Sequence, residues 1–119
     1  MNRKLAKELK TAGFPIQFYQ VGHRFYPNEN STGWTEAAQK AGIIITAYEL
    51  QHRLQDIKDG YYCPSLADLI EACGENFARL FIEKTIWTAK SKNPENYAMA
   101  DSPEGAVARL WLALHKKNP

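Results

Sequence analysis

The sequence predicts an α+β fold in which amphipathic helices pack on a short antiparallel sheet. Two capped apolar stripes and one strand-rich pair carry that expectation. PSLADLIEACG, residues 64–74, repeats Leu66, Leu69, Ile70 and Cys73 at helical spacing between a serine cap and a glycine stop. SPEGAVARLWLALHKK, residues 102–117, sets Val107, Leu110, Trp111 and Leu114 on one face behind Ser102 and Pro103. Proline suits a first helical position because the amide it lacks would be unpaired there anyway. Between these stripes, residues 77–82 and 86–89 are rich in β-branched and aromatic side chains on either side of Glu83, Lys84 and Thr85, the pattern of a tight hairpin.

The remaining elements follow in order. Leu5 and Leu9, four apart among lysines, make a first helix that Gly13 ends before Pro15. Phe14, Ile16 and Phe18, followed by Gly22 and then His23 to Tyr26, read as a strand or hairpin. PNENSTG, residues 27–33, has turn-forming composition and no apolar side chain, so it reads as an exposed loop. Thr35 can cap a short helix through Ala37, Ala38 and Ala41 that Gly42 stops. Thr46 and Glu49 have capping-box spacing, and the stripe Ala47, Leu50, Leu54, Ile57 predicts a helix over 47–58. Tyr61 to Pro64 reads as an extended link, since the residue before proline avoids the helical region. Residues 93–101 read as loop. The ridges led by Leu50, Leu69 and Leu110 are expected to share one interior beneath the 77–89 ribbon.

A chain of 119 residues has the size of one domain, so residues 1–119 are read as a single α+β domain with a candidate helical insertion at about 34–58. With 45% apolar and 24% charged residues, it is expected to fold without a metal or disulfide. The formal charge of +2 generates no broad positive field, which argues against nucleic acid or anionic lipid as a partner. Basic residues at the ends, Arg3, Lys4, Lys7, Lys10, Lys116 and Lys117, read as solvated helix faces. Two cysteines make no disulfide framework, the start MNRKLAKELK lacks the apolar run of an export signal, and the longest aliphatic run is Ile43 to Ile45. A cytoplasmic protein with no membrane span is therefore expected.

The blocks at 64–74 and 102–117, with LAKELKTAGFP at 5–15, resemble a group of small uncharacterised proteins from phages and prophage-bearing bacteria. Residues 27–60 have no counterpart in that resemblance. It implies no activity by itself. Joined to the lack of catalytic groups, it points to a non-enzymatic accessory protein that occupies a host protein surface.

That lack is legible residue by residue. His23, His52 and His115 fall in three different predicted elements with no nucleophile beside them, so no catalytic residue, metal site or cofactor is expected. Carboxylates are single surface or capping residues rather than a pair facing one cleft. Cys73 lies on an apolar stripe, where burial raises a thiol pKa, and Cys63 is expected to be exposed. There is no phosphate-cradling GxGxxG or Walker loop. The densest aromatic and basic group is Tyr19, His23, Arg24, Tyr26 and Trp34, the candidate ligand- or partner-binding residues of a second reading, a small-ligand or nucleotide-binding module. Residues 35–55 resemble a helix-turn-helix, which gives a third reading as a DNA binder. Three isoleucines in a normally polar turn and the low charge both argue against it. A short sheet leaves an open edge, so self-association is a further expectation.

Overall fold

The structure, a computed structural model, describes residues 1–16 and 19–115. Phe18, Lys116 and Lys117, used in the readings above, lie outside the described residues. The fold class is α+β, with helices and two small antiparallel sheets of three strands each. The chain divides into two compact units, one from Asn2 to Pro64 and one beginning at Ser65.

In the first unit, helix α1 (Arg3–Thr11) starts where the Asn2 side chain accepts from the Leu5 amide at 2.9 Å and ends before Gly13 at φ +85. It buries Leu5, Ala6 and Leu9. Strand β1 (Arg24–Tyr26) lies in the middle of a sheet, antiparallel to β2 (Ile43–Ile44) on one side and β3 (Tyr61–Cys63) on the other. The expected hairpin across residues 14–26 is thus corrected: Phe14 to Ile16 is not strand, and the partners of β1 come from later in the chain. Pro15 has no amide to give a ladder. Beyond it, Gln20 and His23 close a tight turn on themselves, with the His23 amide 3.1 Å from the Gln20 carbonyl.

Helix α2 (Glu36–Ala41) is capped by Thr35, whose hydroxyl accepts from Ala38 at 3.1 Å, and stopped by Gly42 at φ +84. The next residues become β2 instead of a helix-turn-helix turn, and Ile45 enters the core with Phe25 and Ile57. The capping box of Thr46 and Glu49 forms as expected. The helix behind it does not run through to 58. It breaks at Arg53 (φ −131, ψ 30) into α3 (Ala47–His52) and α4 (Leu54–Asp59). The break lets Ile57 reach the interior and leaves Leu54 39% exposed, so the predicted stripe is not one face. Residues 34–58 are woven into this unit, since they supply β2 and two of the three core residues.

In the second unit, helix α5 (Leu66–Cys73) starts at Ser65, which accepts from the Asp68 amide at 3.1 Å, and stops at Gly74. A 3-10 turn, Gly74–Asn76, leads into β4 (Phe77–Glu83), β5 (Ile86–Ser91) and β6 (Tyr97–Ala100), a meander in the order β4-β5-β6. The predicted hairpin is present, with Glu83 opposite Ile86 across a two-residue turn. The third strand corrects the loop expected at 93–101. Tyr-Ala-Met-Ala is poor in β-branched residues, and pairing with β5 together with packing by the last helix makes it a strand.

Helix α6 (Pro103–His115) packs on β5, β6 and α5 and buries Val107, Leu110 and Trp111. A Cβ at Gly105 would lie 3.1 Å from the Ala100 Cβ and 2.9 Å from the Ser102 hydroxyl oxygen, so only glycine lets helix and strand approach this closely. Leu69 and Leu110 are both buried in this unit, whereas Leu50 packs on Phe25, Ile45 and Ile57. The Leu50 ridge and the Leu69 and Leu110 ridges thus belong to different compact units.

Candidate functional site

Strand alternation keeps Arg24 and Tyr26, two members of the cluster singled out in the sequence, on the same side of β1, with Phe25 on the other. Tyr26 is only 3% exposed, and burial, followed by the neighbouring Cys63 thiol, pushes its hydroxyl pKa up. Arg24 donates to the Ala41 carbonyl at 2.7 Å and Arg3 donates to the Gln39 carbonyl, so two guanidinium groups satisfy the last turn of α2. Trp34 packs edge-on to Phe25 at 5.6 Å, with the Arg53 guanidinium 3.5 Å over its ring. Arg53 is held in turn by Asp56 at 3.0 Å. Tyr19 and His23 both meet Tyr62, at 6.3 and 5.2 Å between ring centroids.

Tyr19 lines a cavity with Leu9, Lys10, Phe14, Ile16 and Tyr62. Its volume of about 70 Å³ is well below the roughly 300 Å³ at which small-molecule pockets begin. Within the cluster, Tyr26 is buried, Tyr19 and Trp34 pack against the Phe25 core, Arg24 satisfies the end of α2 and His23 meets Tyr62.

The other titratable groups of the first unit tie distant segments together. Glu29 accepts from the Tyr61 hydroxyl at 2.5 Å and from Lys7 at 2.8 Å. These two donors, Lys7 foremost, lower its carboxyl pKa to about 2. Lys10 reaches the Lys58 and Gly60 carbonyls at 3.1 and 2.8 Å. The histidines stay apart: His23 lies by Tyr62, His52 by Tyr48 at 4.6 Å, and His115 stacks on Trp111 at 4.1 Å. Burial pushes the Cys73 thiol up to about 11, while Cys63 is half-buried rather than exposed. Among the described residues, no three His, Cys, Asp or Glu side chains converge as a metal site, and no helix is long and apolar enough to cross a membrane.

A different surface stands out once the register is known. With α6 on one face of the β4-β5-β6 sheet, the alternate residues form the other face in cross-strand rows. One row is Arg79, Lys90 and Tyr97, and the next is Phe81, Thr88 and Met99. Ile86 and Glu83 face each other at the hairpin end. Tyr97 is 52% and Met99 51% exposed. The Arg79 and Lys90 charges lie 5.0 and 5.7 Å from the Phe81 ring centre, and neither forms an ion pair with an acid among the described residues.

Sequence reasoning missed this face because its third column belongs to a strand read as loop. The usable signal was the alternation itself, Arg79-Phe81-Glu83 against Ile86-Thr88-Lys90. Comparison of the chain with protein-family models, with curated proteins and with solved structures finds no match.

Proposed function

We propose that the protein is a non-enzymatic binding protein and that the open face of the β4-β5-β6 sheet is its recognition surface. One observation carries this reading. Tyr97 and Met99, each about half exposed, stand beside two like charges on adjacent strands that have no acidic partner among the described residues. Like charges directly opposite destabilise a sheet, and exposed aromatic and thioether groups gain nothing in water. A sheet shaped for stability alone would put an acid opposite one of those cations. The resemblance of residues 64–74 and 102–117 to phage and prophage proteins supports an accessory role toward a host component. The separate surroundings of the three histidines support a role without catalysis.

Photo-crosslinking in the cells that make the protein tests this. A benzophenone amino acid in place of Met99 is expected to give discrete adducts, and the same group in place of the exposed Gln55 to give none. Absence of adducts from Met99, or equal adducts from both, removes the reading.

A further inference from the structure

We infer that this face takes a single-stranded polynucleotide, with its phosphates on Arg79 and Lys90 and a base on Tyr97. The inference rests on the face being a binding surface and names what occupies it.

Charge and shape point the same way. Arg79 and Lys90 are directly opposite each other, so an occupant must bring negative charge to relieve them. Next to them in the same row is the exposed ring of Tyr97, about 4.8 Å further across the sheet. A partner that repeats an anion and a flat apolar group at short intervals matches that order, and each nucleotide is such a pair.

The bases must be unpaired. An exposed ring on a sheet stacks on a splayed base, whose face is free, whereas a base within a duplex has both faces covered by its neighbours. Met99 in the next row continues the apolar track beside Tyr97. Glu83, the acidic residue of this face, stands at the hairpin end, four residues and about 13 Å along β4 from Arg79. It therefore leaves the cationic row clear and repels a strand that strays toward the turn.

The formal charge of +2 argued against nucleic acid only as a broad field. Two cations aligned on one row are a local site, and they fix the expected salt response. Neutralising two phosphates of a single strand gives a slope of log affinity against log salt of about −1.4. Stacking on a tyrosine tolerates any base, so the sequence preference is weak.

Fluorescence polarisation of the full chain with labelled oligo-dT and oligo-U at low ionic strength tests the inference. Expected are saturable binding of both, a salt slope near −1.4, and poor competition by duplex DNA. Tyr97→Ala and Arg79→Ala each weaken binding by about fivefold or more, Tyr97→Phe retains it, and Lys58→Ala in the first unit leaves it unchanged. Circular dichroism confirms that each variant is folded, and Tyr97→Phe keeps the test valid if Tyr97→Ala does not fold.

No polarisation change at about 100 μM protein, the weak end of non-specific binding, overturns the inference. So does binding that ignores both Tyr97 and Arg79. Met99 adducts that resist nuclease but not protease, with no oligonucleotide binding, overturn the polynucleotide and leave a polypeptide or a second copy of the chain on the face. Absence of adducts overturns both readings.

Discussion

The two units of this chain hold themselves together by different means. The first builds a sheet from strands of two or three residues drawn from segments near 25, 43 and 62. It then relies on long side chains to tie remote segments: Lys10 to the Lys58 and Gly60 carbonyls, the Tyr61 hydroxyl to the Glu29 carboxylate, Arg3 to the Gln39 carbonyl. The second unit is a meander whose neighbours in space are neighbours in sequence, flanked by two helices started by serines. Local order of that kind closes few long loops and asks little of individual polar side chains. One face of its sheet is thereby left available, whereas in the first unit Tyr26 is buried and Trp34 packs on Phe25.

The largest expected effects test whether each unit has an interior of its own. Phe25→Ala and Trp111→Ala, at fully buried sites, should each cost about 3–5 kcal/mol in urea unfolding. A cost below about 1 kcal/mol for Phe25→Ala would break the claim that the first unit has a true core. Next comes Gly60→Ala. A Cβ there would come within 2.5 Å of the Tyr26 carbonyl and 2.9 Å of the Phe25 ring, both in the middle strand. The overlap should cost about 1–3 kcal/mol, and a neutral result would mean that the first sheet is looser than described.

The smallest effect concerns the ties. Glu29 has its folded pKa depressed from 4.5 to about 2, so its contribution to stability is present above 4.5 and is lost as pH falls toward 2. Glu29→Gln should flatten the fall in stability over that acid window in denaturation curves taken at several pH values. An unchanged pH profile would show that the Lys7 and Tyr61 bonds hold nothing.

The contrast also explains what the sequence made legible. Ser65, Gly74, Ser102 and Pro103 act within one turn of where they stand, so the helices of the second unit could be read directly. The Thr46 and Glu49 box was equally visible, but the break falls at Arg53, whose guanidinium lies over the Trp34 ring, a contact that spacing does not encode. The partners of β1 lie about twenty and forty residues away and carry no local mark. For the candidate cluster, the sequence did not show that Arg24 and Tyr26 share one side of β1 while Trp34 packs on Phe25, which leaves the strand on the other. The open face takes its residues from positions 79 to 99 and emerges only with the register of three strands, the last of them poor in strand formers.

The close approach of Gly105 to Ala100 has a mechanical meaning. Tyr97 and Met99 ride on a strand seated closely against α6, and the Arg109 side chain of the same helix donates to the Met99 carbonyl at 3.3 Å. Strand and helix thus meet at two points, Ala100 against Gly105 and the Met99 carbonyl against Arg109, on the helix that also carries Trp111. A fluorine atom on the Trp111 indole gives that helix a reporter, whose resonance is expected to move when something lands on the sheet.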